Sequence, residues 1–467
     1  MSASSISTAG GIAPQPATMR EAPSFGACLS FGIGTIGTAV LLNTVTVYLP
    51  AFMTTVLGRP AALAGILLTA SKLYDILCDI IIGLASDRTR SRLGRRRPYL
   101  LAGALLGSFT FCLIFSPPVI DDHWIVWEMG ALLVLYSTGY SLFNVPYLAI
   151  PAEMSGDYHG RTRLLSFRTF FVAVGQFVGL SVSGWMLQHL GGGRSGYATM
   201  GYTLAAVVLI TELGTFFGLR HLPIAPITVS STRGSMESFL SLFRNAQYGL
   251  LMGAKFIQLL GVSVSISTSL LFMLNVLGVG YSGQANFSLA QNVAIAVSML
   301  IWVRVSHRIG KRVSAMIAIV IYALASLSWL MAGPGETTLA IVIRGLVMGF
   351  GAGGILLMGA SMLPDAMEYD YCLTGIRREG IYSSGFAIIE KAAFAIGPGL
   401  IGIYLTRSGY IPTLHGHLVH QPASVHWALY VGTAILPAIM VAASVIFLSF
   451  YNLDEKKLNR LRVEASQ

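Results

Sequence analysis

The chain has 467 residues, of which 54% are hydrophobic and only 11% charged, with a mean hydropathy of +0.69. Soluble proteins carry charge on about a quarter of their residues, so this composition excludes a soluble fold and makes the bilayer the solvent. The net charge of +10 calls for no nucleic-acid partner, because a bias of Lys and Arg toward one membrane face, where anionic headgroups lie, accounts for it.

Residues 1–24, rich in Ser, Ala and Pro, lack the basic start and short apolar core of a cleaved signal and read as a disordered cytoplasmic tail. Apolar stretches then recur at the length a helix needs to cross about 30 Å of hydrocarbon. They predict spans near 25–56, 62–86, 98–117, 124–150, 165–190 and 197–219, forming a first six-helix bundle over 25–219. A polar connection over 220–245 with Pro223, Pro226 and the run Ser230 to Ser235 follows, read as a cytoplasmic linker. Spans near 246–277, 283–303, 313–332, 338–363, 380–406 and 425–451 form a second bundle over 246–451, and 452–467 is a second tail. Runs this long exclude a barrel, whose strands alternate over about ten residues. The fold class is an all-α polytopic membrane protein of twelve transmembrane helices.

Lys and Arg collect in the loops after even-numbered spans: Arg88, Arg90, Arg92, Arg95, Arg96 and Arg97 after span two, Arg161 and Arg163 after span four, and Arg304, Arg308, Lys311 and Arg312 around span eight's end. Positive charge stays inside, so these loops and both termini are expected in the cytoplasm, with the chain in the inner membrane. Cys28, Cys78, Cys112 and Cys372 form no C-x-x-C pair and suggest neither a disulfide frame nor a zinc site. His415-x-His417-x-x-His420 fits no standard metal spacing, so no metal and no cofactor beyond a coupling ion is expected. Gly349-x-Gly351-x-Gly353-Gly354 inside an apolar run reads as close helix contact, and Pro146, Pro151 and Pro398 as kinks.

Span two carries the most informative charges. At 100° per residue, Lys72, Asp75 and Asp79 share an arc of about 60°. Two carboxylates one turn apart, deep in a span, must meet water, a counter-charge or a bound cation; they attract a small cation or a proton. A purely structural cluster with Lys72 and a neighbouring helix is the competing reading. Arg168 and Lys391, beside Glu390, are further intramembrane charges. Glu212, Lys255 and Arg344 have no motif around them and read as structural.

Several blocks carry a resemblance. Gly83-x-x-x-Asp87-Arg88 with its Arg cluster resembles the signature between helices two and three of the major facilitator superfamily, and Ser306 to Arg312 echoes it six spans later. Asp75-x-x-x-Asp79, Thr89 to Arg95 leading to Pro98, Asn144-Val145-Pro146-Tyr147, Asp157 to Arg163, and Glu368-Tyr369 through Gly375-x-Arg377 together resemble the glycoside-pentoside-hexuronide:cation symporter family.

That resemblance implies two six-helix bundles rocking about a mid-membrane site. It implies that Asp75 and Asp79, with the Ser141 hydroxyl, bind the coupling H⁺ or Na⁺. Cys78 stands where the family's type member has an amide, and soft sulfur weighs toward H⁺. Arg168 and Lys391 match basic cavity residues. The two acids that hold sugar hydroxyls in the type member fall at Ala39 and Asn144, and its stacking Trp at Leu148; this less acidic cavity favours neutral or anionic substrates, hexuronides among them. Asn144, Tyr147, Arg168, Lys391 and Lys72 are the expected substrate-binding residues. Asp87 with Arg88, Arg95 and Arg96 is expected to act as a cytoplasmic gating latch. A monomer taking up a sugar, glycoside or hexuronide is the expected function. A lysolipid or amphiphile carrier of the same fold is the alternative, and a membrane-embedded transferase built on Asp121-Asp122 and His123 ranks below it.

Overall fold

The computed structural model describes residues 24–91, 93–118, 124–154, 158–220, 245–375, 378–453, 457–458 and 460. Among them the chain forms twelve long helices. These are α1 (Phe25–Thr55), α2 (Ala61–Arg88), α3 (Arg97–Phe115), α4 (Ile125–Met154), α5 (Tyr158–Gln176, then a π turn Phe177–Val182 and Ser183–Leu190) and α6 (Arg194–Gly218). The second six are α7 (Ala246–Leu277), α8 (Gly280–Ile309), α9 (Lys311–Met331), α10 (Thr338–Thr374), α11 (Glu379–Arg407) and α12 (Ala423–Phe450). Eleven are long and apolar enough to cross a membrane. The twelfth, α2, spans 28 residues and differs by carrying Lys72, Asp75 and Asp79. An even number of crossings puts both ends of the chain on one face, here called the terminus face; the other is the far face.

The expected tail 1–24, apart from the α1 cap Ser24, and the linker, apart from Arg220 and Asn245, lie outside the described residues, as do Asp121, Asp122 and His123. Helix ends differ from expectation where proline or polarity suggested a stop. Span ten is expected to end near residue 363, before Pro364, but α10 continues to Thr374. The stop comes at Gly375, whose left-handed φ of 67° lets its N–H reach the Tyr371 carbonyl. Likewise α4 runs through Pro146 and Pro151 to Met154, and the polar stretch before residue 165 is the first part of α5.

Without a hydrophobic force between helices in lipid, close packing holds the bundle, and glycine permits it. In the first half, a Cβ on Gly103 would overlap the Phe143 backbone and one on Gly139 the Gly107 backbone, so α3 and α4 cross backbone to backbone. In the second half, the α10 glycines serve both sides: Gly349 and Gly353 press on α8 at Gln291 and Ile295, Gly351 and Gly354 on α9 at Tyr322 and Ala318. The halves also repeat an anchor. Arg97 near the start of α3 donates to the Leu219 carbonyl after α6 (2.7 Å), and Arg312 near the start of α9 donates to the Ser449 carbonyl at the end of α12 (2.5 Å).

The halves meet where α2 lies along α11 and where the last part of α5 lies along α8. Hydrogen bonds joining them gather toward the far face: Ala62 N to Thr406 Oγ1 (2.8 Å), Thr69 to the Ala395 carbonyl (2.6 Å) and Trp185 to Asn286 (3.2 Å). Beyond the helix ends, Thr413 N and Gly416 N donate to the carbonyls of Thr54 and Thr55 (both 2.8 Å), and Leu57 pairs with Leu414 as a short antiparallel bridge. The far face is closed in this structure.

Candidate functional site

The α2 arc that carries Asp75 and Asp79 faces α4 and α11. Asp75 is buried, at 4% exposure, and Asp79 lies one turn closer to the terminus face. From α4, Ser141 sits with its hydroxyl oxygen 2.7 Å from Asp75 Oδ1 and 2.7 Å from Asp79 Oδ1. From α11, in the other half, Lys391 donates its ammonium to the outer oxygens of both: Asp75 Oδ2 at 3.0 Å and Asp79 Oδ2 in still closer contact. Four residues from three helices and both halves thus form one closed cluster. A carboxylate left unpaired at this depth costs at least a few kcal/mol, and removing one partner of a buried pair costs about 3–5 kcal/mol.

The proton count of the cluster is informative. A hydroxyl has one hydrogen, so Ser141 donates to only one of its two carboxylates at a time. Two O···O contacts of 2.7 Å are both hydrogen bonds when the other carboxyl carries a proton and donates it to Ser141. Asp75, Asp79, Lys391 and one such proton sum to zero charge, the state a low-dielectric interior favours.

Around this core the structure separates the expected residues. Asn144, one turn along α4 from Ser141, is half-buried, and its amide makes no hydrogen bond with a described residue. Lys72 is likewise in no ion pair among the described residues; its ammonium stands 5.8 Å from the centre of the Tyr140 ring, within electrostatic reach of Asp75, Asp79 and Lys391. Arg168 on α5 makes no hydrogen bond there either, its Nε being buried without a partner. Two cations and an amide therefore keep hydrogen-bonding capacity beside a satisfied carboxylate pair.

Tyr147 is not part of this surface. It is fully buried, stacked on Phe31 with ring centres 4.6 Å apart, and its hydroxyl donates to the Phe31 carbonyl (2.5 Å) and contacts Thr35 (2.6 Å). Expected at the substrate site, it instead ties α4 to α1 in this structure. Tyr140, seven residues earlier on the same face of α4, lies beside the charges. Its ring meets Lys72 and its phenol senses Asp75, Asp79 and Arg168. Its spacing of four from Asn144 was the available signal. Cys78 turns toward Thr138 on α4, 4.0 Å away, and Leu148 is exposed.

At the terminus face, Asp87 accepts from Arg96 (3.2 Å) and pairs with Arg95 (3.7 Å), and Arg96 also donates to the Pro146 carbonyl (3.2 Å). This ties the end of α2 to the start of α3 and the kink of α4, all within one half. Arg88, expected in the same group, is exposed and pairs with none of the described residues. Arg344 pairs with Glu336 (3.2 Å) above the Trp329 ring, and Lys255 stands over the Phe386 ring at 5.1 Å.

Residues 30–455 match the family described as MFS/sugar transport protein. An uncharacterized symporter of Synechocystis sp. is 27% identical, covering 91% of this chain and 93% of its own length. A putative sulfoquinovose importer of Salmonella typhimurium is 26% identical over 82% of this chain and 81% of the relative, and an isoprimeverose transporter of Lactiplantibacillus pentosus 23% identical over 91% and 88%. Among solved structures, a mutant of the nucleoside transporter NupG superposes with a TM-score of 0.67 at 15% identity, covering 90% of this chain and 99% of that one. A bacterial homolog of the lysosomal transporter Spinster, inward-facing and unoccupied, gives 0.66 at 16% identity, covering 96% and 98%. These structures show the fold. With the match over residues 30–455 and the motifs of α2, α4 and α10, the chain belongs to the MFS/sugar transport protein family, of the glycoside-pentoside-hexuronide:cation symporter type, and is a transporter, not an enzyme.

Proposed function

We propose that this protein is a proton-coupled symporter for sugars or glycosides, preferentially anionic ones, working by alternating access in the cytoplasmic membrane as a monomer with both termini cytoplasmic. The observation that carries this reading is the bridge made by Asp75, Asp79 and Ser141 on one half to Lys391 on the other. A cluster shared across the seam couples ion occupancy to the relative position of the halves. Gain or loss of a proton at the pair changes its hold on Lys391 and with it the relative position of the halves.

The proton is favoured over Na⁺ on two grounds. The Lys391 ammonium already occupies the outer carboxylate oxygens where a bare cation would sit, and the two Ser141 contacts suit a shared proton. For the substrate, the unpaired Lys72 and Arg168 supply positive charge around Tyr140, and Ala39 and Leu148 supply none of the acidic or stacking groups of a galactoside pocket. An oxyanion such as a carboxylate or sulfonate on a sugar suits that balance, Arg168 being able to grip it through two N–H groups. Relatives named as sulfoquinovose importers agree with this substrate class.

The test is uptake into proteoliposomes of a panel of neutral sugars, hexuronides, sulfonated sugars and lysolipid under imposed H⁺ or Na⁺ gradients. Accumulation of an anionic sugar driven by H⁺ supports the reading. Lysolipid movement alone, or drive by Na⁺ alone, overturns its substrate or its ion.

A further inference from the structure

Glu212 is a charged residue type that the cluster above does not use. It lies on α6 with 0% exposure, and neither carboxyl oxygen has a hydrogen-bond partner among the described residues. It is also fitted rather than tolerated. Gly37 on α1 presses against it, so that a Cβ there would stand 2.7 Å from its Cγ and 3.0 Å from Oε1. An ionised carboxylate without any donor, in a protein core inside a membrane, is far costlier than the neutral acid. In this state Glu212 therefore holds a proton.

The ionisable groups that sense Glu212 are the phenols of Tyr136, Tyr140 and Tyr147, all on α4. Among the described residues, the other packed helices bring no charge to it. On α3, Arg97 is engaged at the Leu219 carbonyl, Tyr99 at Thr89, and Cys112 lies near Gly201, about three turns of α6 away. On α1 the facing residue is Gly37, and Tyr48 is engaged at the Leu180 carbonyl. Tyr136 and Tyr140 also sense Asp75, and Tyr140 senses Asp79. The Tyr136 hydroxyl is itself buried without a partner. Glu212 thus stands apart from the carboxylate pair, without a hydrogen bond to it or to the phenols.

We propose that Glu212 is a second proton-binding site of the transporter, holding its proton in this state and releasing it when the halves rearrange. On release the Glu212 O–H bond breaks and the proton passes to water admitted between the helices. The proposal rests on reading the chain as a symporter, and it makes the stoichiometry two protons per cycle rather than one.

The test has two arms on the full-length protein. In proteoliposomes, Glu212→Gln lowers the ratio of protons to substrate by one and removes one limb of the pH profile; an unchanged ratio and profile overturns the proposal. In wild-type protein labelled with ¹³C-glutamate, infrared difference spectra show a protonated glutamate band that is lost on alkaline titration or on adding the transported substrate. A glutamate band that never responds marks a locked structural acid and overturns the proposal even where the variant fails to fold. Coupling retained in Asp75→Asn and Asp79→Asn but lost in Glu212→Gln would sink the reading of the pair while supporting Glu212 as the coupling acid.

Discussion

Ser141 gives the two α2 carboxylates a common partner, and its hydroxyl is small enough to remove without disturbing the helix. A hydrogen bond to a charged group contributes about 1.5–3 kcal/mol. Ser141 donates to a carboxylate and so favours the ionised pair; Ser141→Ala is therefore expected to strengthen the apparent proton affinity of driven uptake by roughly tenfold or more, read as a shift of the half-saturating proton concentration to lower values; an unshifted curve would mean that the hydroxyl takes no part. Lys391 makes a different prediction. Lys391→Gln leaves Asp75 and Asp79 without their cation and should lower the melting temperature of the purified protein, whereas the Asp79→Asn/Lys391→Gln double variant should recover part of the loss. Strict additivity would argue against a direct pair. The cluster was legible in the sequence because spacing of four puts Asp75 and Asp79 on one face, and depth in an apolar span makes their charge expensive. Tyr140 and Tyr147 show where that legibility ends. They are seven residues apart and share a face of α4, so phase cannot choose between them; Phe31 and Thr35 on α1, distant in sequence, close over Tyr147 and leave Tyr140 beside the charges.

At the scale of elements, α2 and α11 are the seam. A Cβ on Gly65 would overlap the Pro398 carbonyl oxygen, and one on Gly402 the Ala61 carbonyl oxygen, so both helices approach by backbone on the far side of the cluster. Overpacking of this kind costs about 1–3 kcal/mol, enough to move a two-state equilibrium by roughly tenfold. Gly65→Leu is expected to open the far face, measured as faster labelling of a reporter cysteine reached only from that side; unchanged labelling with normal uptake would show that the seam does not gate. Helix number and the apolar cores of the spans could be read from hydropathy, because lipid demands them. The ends could not. α10 passes through Pro364 and stops at Gly375, since neighbouring helices stabilise a turn that local propensity alone would break.

At the scale of the molecule, Arg97 and Arg312 are similar anchors, each tying the third helix of a half to the end of its sixth; in the echo of Leu93-Gly94-Arg95-Arg96 by Ile309-Gly310-Lys311-Arg312, Arg312 instead stands opposite Arg96, which pairs with Asp87. The backbone pairing of Thr54 to Leu57 with Thr413 to Gly416 was invisible to sequence, because main-chain bonds leave no side-chain signature. If the halves move apart on the far face during transport, a disulfide joining Leu57→Cys to Leu414→Cys should stop uptake, and reductant should restore it; uptake by the oxidised protein would mean that this face never opens. The account as a whole depends on the carboxylate pair. Its most direct measurement is gradient-driven substrate accumulation in proteoliposomes by wild type, Asp75→Asn and Asp79→Asn, beside substrate exchange without a gradient. Both variants are expected to fall to the level set by simple equilibration, whereas accumulation equal to wild type in either one would make the cluster a structural clasp and contradict coupling through it.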